Sequence, residues 1–237
     1  MGSLLYAKDI PVTDKISVHV PTVGEVVDNE DDYYGIVAML TAVPYDMMGQ
    51  LDDLGIDFTE IDEFQLFIIL MASLREMDTH LVLGDIDLKK FRLMINEDTQ
   101  MPTLVDTEND IVIDKVVHSK IADALRQIHN LEKTRKKPGN DEAKAYLIKQ
   151  AKKKARRKRK RKSQLDALII SLVNTEQFKY DYESVRDITI YQFNQSVRQI
   201  GHKIDFDNLM RGVYAGTVDT KKISSDKLTW LTTGAAQ

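Results

Sequence analysis

The 237-residue chain has no cysteine. That excludes disulfides, thiolate nucleophiles and cysteine-ligated metals, and it makes a reducing cytoplasm the expected setting. Long apolar runs are missing too. The longest, 64–74, carries Gln65 and Ser73 and falls short of the ~18–20 residues that cross a bilayer. The N-terminal stretch MGSLLYAKDIPVTDK lacks a basic segment followed by an apolar one, so no signal peptide is expected. Tyr6 stands where a myristoylation signal requires Ser or Thr. No membrane contact is expected.

Motifs that carry chemistry are equally scarce. Gly212 and Gly216 flank Val213-Tyr214-Ala215 without the Lys-Ser or Lys-Thr that completes a phosphate loop. The histidines are His19, His80, His118, His129 and His202, and none falls in an HExxH pair. His118 and His129 share a helical face but lie ~16 Å apart along the axis, too far to share a metal. The acidic group Asp52, Asp53, Asp57, Glu60, Asp62, Glu63 lacks the alternating ligands and central glycine of a calcium loop, and Asp85 and Asp87 are only a fragment of one. No catalytic, metal-binding or cofactor-binding residue is therefore expected. The chain reads as a binding protein rather than an enzyme.

What is present is ordinary globular composition, 43% hydrophobic and 30% charged, with an unusual distribution of charge. Residues 1–110 hold 23 acidic and 6 basic side chains, whereas 111–237 hold 14 and 27. A net charge of -4 thus hides balances of -17 and +13. The two halves should attract each other or serve different partners.

The first half reads as α+β. Alternation at Ile16–Val20 predicts a strand ended by Pro21. Helices are predicted over 28–43, stopped by Pro44, and over 45–54, ended by Gly55. Thr59 is expected to cap a core helix with Ile61, Phe64, Ile68, Met71 and Leu74 on one face. Short strands are expected at 81–83, 91–95, 104–105 and 111–113, the last two joined by a hairpin loop at 106–110. Asp114 should open an amphipathic helix to Leu131, bearing Val117, Ile121, Leu125 and Ile128. Lys136-Lys137-Pro138-Gly139-Asn140 is the best break in the chain. It divides an acidic α+β domain, 1–136, from a basic helical domain, 140–237. The second part is predicted all-helical: one long helix from 140 to about 175, another over 182–200 ended by Gly201, and a short one over 206–214. The fold class is mainly α.

The sharpest local feature lies on the long helix. Residues 149–162 place 11 positive side chains among 14, and Arg156–Lys162 is seven cations in succession. Lys152, Lys153, Lys154, Arg156, Arg157, Lys158, Arg159, Lys160, Arg161 and Lys162 are candidate polyanion ligands, since phosphate contacts by such a run give strong, salt-dependent nucleic-acid affinity. No aromatic side chain lies within it to stack on bases, which argues against reading sequence or single strands. The run can equally dock on an acidic surface of this chain or of another protein.

Several stretches resemble proteins encoded in the tail-gene clusters of bacteriophages that infect Gram-positive hosts. They are Ile16-Ser-Val-His-Val-Pro-Thr-Val-Gly-Glu-Val26 with Asp31-Asp-Tyr-Tyr-Gly-Ile-Val37; Asp53-Leu-Gly-Ile-Asp-Phe-Thr-Glu-Ile-Asp-Glu-Phe-Gln-Leu-Phe67; and 206–223, from Phe206-Asp-Asn-Leu-Met-Arg-Gly-Val-Tyr-Ala-Gly to Ile223, with Leu228-Thr-Trp-Leu231. The resemblance implies a tail-assembly protein, chaperone-like or virion-associated, that works in the host cytoplasm or in the particle. Its expected partner is a tail or baseplate protein, with self-association besides and nucleic acid as the alternative. Tyr214 and Trp230 are the candidate anchors, because aromatics dominate binding hot spots.

Overall fold

The computed structural model describes residues 3–97, 99–134, 137–156 and 163–231. Helix accounts for 57% of it and strand for 9%, so the chain is mainly α, with its short strands confined to the first half. Strands β1 (Asp9–Pro11) and β2 (Ser17–His19) form an antiparallel hairpin that pairs Ile10 with Val18. Two helices follow, the second of them the one expected over 28–43 and the first an unexpected short helix before it. They are α1 (Val23–Asp28) and α2 (Glu30–Thr41), parted at Asn29, whose backbone leaves the helical region. Helix α3 (Met48–Asp53) gives way to Gly55 at φ +71°. Helix α4 (Glu63–Leu74) starts three residues later than expected: Asp62 makes the capping box with Gln65, while Thr59 is held by Asp57 in a tight turn. The stretch expected as a strand at 81–83 is a helical turn, α5 (His80–Leu83), closed by Gly84 at φ +60°.

Strands β3 (Arg92–Ile95), β4 (Pro102–Asp106) and β5 (Ile111–Ile113) form an antiparallel meander. The loop expected at 106–110 is present. Asp106 accepts hydrogen bonds from the Asn109 side chain and from the Glu108 backbone N–H, and Asp110 takes a positive φ. Asp114 caps α6 (Lys115–His129), which ends at Asn130 in the left-handed conformation. That helix buries Ile121, Ala122, Leu125 and Ile128 at the predicted spacing.

The expected long helix over 140–175 is two helices, α7 (Asp141–Arg156) and α8 (Gln164–Val173). Ser163 is extended and caps α8 by accepting the Asp166 N–H, so a continuous helix cannot pass through it. Helix α9 (Ile190–Tyr214) merges the two helices expected over 182–200 and 206–214. Its start is set by a Thr189–Gln192 capping box. Gly201 does not end it, because a single interior glycine costs only ~1 kcal/mol against alanine. The true stop is Gly216, φ +71°. There the Thr217 N–H bonds Gly212 O and the Gly216 N–H bonds Val213 O, which is a Schellman motif.

The core does not divide at the 137–140 break. One cluster contains Val18, Val23, Tyr33, Phe67 and Leu125 from the first half together with Leu165, Leu172, Val185, Ile190 and Phe193 from the second. The backbone joins there too: the Val23 N–H bonds Ile188 O, the Ile190 N–H bonds Pro21 O, and Thr22 bridges Thr189. The expectation of a separate core for each half thus gives way to a shared one. A smaller second cluster, around Met48, Leu51, Phe58 and Leu66, is covered by Leu147, Ile148 and Ala151 of α7.

Candidate partner-binding surface

Attraction between the halves is visible at α7. The helix buries no side chain and lies on α3 so closely that a Cβ added to Gly49 would sit 3.5 Å from the Ala151 Cβ. Lys152 reaches Asp52 and Asp53 at 2.5 and 2.6 Å, and Lys144 pairs with Asp57. These carboxylates raise the Lys152 pKa, and the Lys144 ammonium, helped by Thr59, holds Asp57 down at about 2. Reading the basic run as a block missed Lys144. Its signal was the spacing Lys144, Ile148, Lys152, one helical face that brackets an apolar centre with two cations.

Lys152 is therefore committed to the acidic half. Lys153, Lys154 and Arg156 are exposed and without an ion pair among the described residues. Arg157, Lys158, Arg159, Lys160, Arg161 and Lys162 lie outside the described residues.

The two aromatic candidates occupy different places. Tyr214 is the last residue of α9 and is 85% exposed. Trp230 is 44% exposed and lies on a C-terminal segment folded back along α9. Gln199 Nε2 donates to Trp230 O at 2.8 Å, His202 Nε2 meets Thr229 O at 3.0 Å, and Lys203 Nζ lies 6.0 Å from the indole centroid. Tyr214 is 11 residues beyond Lys203, hence ~16 Å farther along the helix. The two anchors do not form one pocket; they mark the ends of a strip. Leu228 and Leu231 extend the apolar surface at the Trp230 end, at 38% and 55% exposed. The glycines that resembled half a phosphate loop shape the other end. Gly216 supplies the left-handed cap, and a Cβ on Gly212 would meet a Val218 methyl at 2.8 Å.

Elsewhere the polar groups serve structure. Arg126, nearly buried, joins Asp123, Glu63 and the Thr41 carbonyl. His118 stacks on Phe67 at 4.4 Å between centroids, and His129 Nε2 meets the Tyr33 hydroxyl at 2.9 Å. Burial holds both imidazoles down at about 4. A cleft of about 840 Å³ opens between α2, α6 and α8, with Asp28, Glu30 and Asp32 on its rim and Tyr34 and His129 in its wall. Among the described residues no three histidines or carboxylates converge as metal ligands, and no helix is long and apolar enough to cross a membrane.

Residues 153–233 match the family described as the YomV second domain. It is a phage-type family. The match covers about a third of the chain, from the end of α7 through α8, α9 and the folded-back segment with Trp230. The chain thus carries a region similar to a bacteriophage domain, and that region includes both aromatic candidates and most of the basic run. No curated protein and no solved structure matches the chain.

Proposed function

We propose that this chain is a non-enzymatic phage morphogenesis protein that binds a tail or baseplate component during virion assembly in the host cytoplasm. One observation carries the reading. The stretch similar to the YomV second domain also bears Tyr214, Trp230 and Leu231, large apolar side chains left in water. Exposed aromatics with rigid side chains anchor interfaces at low entropic cost. Tyr214 ends a helix fixed in the shared core by Ile190 and Phe193, and the segment with Trp230 and Leu231 is tied to that helix through Gln199 and His202.

The strip is tested with Tyr214→Ala and Trp230→Ala, alone and combined, in cells that co-express the phage tail and baseplate proteins. Each hot-spot truncation is worth ~2 kcal/mol or more, so each should weaken recovery of the partner roughly 30-fold. Unchanged recovery with the double variant rejects the strip as the binding site.

A second reading rests on Lys153, Lys154 and Arg156, cations that the acidic half leaves unpaired among the described residues. With 157–162 they would hold nucleic acid. Duplex binding tighter than ~1 µM at ~150 mM salt would favour it, because nonspecific binders are typically weaker there. Under that reading, replacing Arg156 to Arg161 with Gln abolishes the binding.

A further inference from the structure

The meander ends on β3, which has no strand partner on its outer edge among the described residues; its guards are its shortness and Arg92 at one end. Its four residues, Arg92–Ile95, are all exposed. Leu93, Met94 and Ile95, with Met101 across the turn, are 53%, 48%, 57% and 51% exposed. Proline, lysine or a bulge normally blunts such an edge. The strand contains none of them. An apolar open edge is a template for strand addition.

The hydrogen-bond parity of the hairpin fixes what the edge presents. The Asn96 N–H bonds Met101 O at 2.9 Å, so Met94 and Arg92 are the next residues to bond β4. Pro102, which has no N–H, stands opposite Ile95, in agreement with that parity. The N–H and C=O groups of Leu93 and Ile95 therefore point outward, on either side of Met94. The side chains of Leu93 and Ile95 lie on the face shared with Leu104 and Ile113.

We propose that the β3 edge pairs antiparallel with β3 of a second copy of this chain, about a two-fold axis through Met94. In that register Leu93 of each strand faces Ile95 of the other, and all four outward N–H groups find a carbonyl. The two meanders become one six-stranded sheet. On one face the apolar row of Leu93 and Ile95 is completed by the copy's Ile95 and Leu93; on the other, Met94 meets Met94. Charge agrees with the direction of pairing. The strand is preceded by Lys89 and Lys90 and begins with Arg92, and it is followed by Glu97, so antiparallel pairing sets each basic end toward the other strand's acidic end. A parallel arrangement would oppose like charges. An interface of one short strand per copy is small, which implies a weak dimer.

Because the native chain has no cysteine, the register can be tested one position at a time. At the two-fold, Met94 faces its own copy in a non-hydrogen-bonded pair, with Cα atoms ~4.5 Å apart, within disulfide range. Full-length Met94→Cys should cross-link to a dimer under mild oxidation at least ten times faster than Tyr214→Cys, a more exposed control. Ile95→Pro removes an outward N–H that β4 does not use, so it should leave the circular dichroism spectrum unchanged and abolish the concentration-dependent rise in mass of the 27.1 kDa chain by ultracentrifugation. Should proline disturb the strand, Leu93→Lys provides the same loss through like-charged, hydrated edges. A wild type that stays monomeric to about 500 µM, which corresponds to about −4.5 kcal/mol of association, overturns the proposal. Equal cross-linking at 94 and 214, or a dimer that survives both edge variants, overturns it as well.

Discussion

Acidification should unfold this protein through two histidines before its carboxylates take part. His118 is buried at 2% exposure, stacked on Phe67, and its Nε2 has no hydrogen-bond partner among the described residues. Protonating it would place a charge and an unsatisfied N–H in the core. His129 is wedged between Tyr33, Tyr34 and Asn194. Burial, the dominant cause for each, moves both from 6.5 to about 4. A histidine with a depressed native pKa stabilises the fold fully above its unfolded value. That contribution disappears as pH falls from about 6.5 to about 4, because only the unfolded chain takes the proton in that window. The shift at His118 corresponds to about 3 kcal/mol, and His129, which keeps some solvent contact, contributes less. Against a total stability of ~5–15 kcal/mol this is a large fraction. The assay is urea unfolding by circular dichroism at pH steps from 7.5 to 4, at low concentration because the isoelectric point of 5.8 falls in the window. Stability should drop by ~2–3 kcal/mol per pH unit near pH 5 while both sites titrate, and His118→Leu should halve that slope. A stability profile flat between pH 7 and 4.5, or imidazole resonances titrating near 6.5 in the native protein, would refute the reasoning.

Other outcomes follow from the packing. Phe193→Ala, at a residue with no solvent exposure and edge-on to Phe178, should cost ~3–5 kcal/mol in chemical denaturation. A disulfide between cysteines at Gly49 and Ala151, whose Cβ atoms would lie 3.5 Å apart, should form readily and raise stability by up to ~4 kcal/mol; a melting temperature unchanged by oxidation would mean α7 is not seated on α3. The fragment 1–136 lacks Leu165, Leu172, Ile190 and Phe193 from the main core, so it should lose the cooperative unfolding transition. A sharp, wild-type-like transition in that fragment would show that the halves fold separately.

Fold class and most element positions were legible because hydrophobic period and capping signals are local. The Asp114 cap and the buried Ile121, Leu125 and Ile128 are realised, with Val117 half-buried and the helix ending two residues early at His129; the strand Ile111–Ile113 is realised as expected. Errors arose where two local signals competed. At Gly201 a glycine looked like a stop, but the helix continues to the Schellman cap at Gly216. At Ser163 a continuous apolar pattern hid an N-cap. The shared core was not legible at all. The Pro138-Gly139 break is real in the backbone, yet the backbone bonds of Val23 to Ile188 and of Ile190 to Pro21 join positions more than 160 residues apart, and no single-sequence pattern encodes that distance. Tyr214 and Trp230 were legible as aromatic anchors, and both are exposed. Their ~16 Å separation depends on how the C-terminal segment folds back on α9. The open β3 edge went unnoticed because Leu93-Met94-Ile95 reads like any buried strand until its neighbours are known.

The most direct measurement is affinity capture of the full-length chain from phage-infected cells after nuclease treatment, with bound proteins identified by mass spectrometry. A tail or baseplate protein should be the main specific companion, reduced when Tyr214 and Trp230 are both alanine. Capture of no tail or baseplate protein, with nucleic acid recovered only when the nuclease is omitted, would contradict the morphogenesis role and leave the basic run as the functional surface.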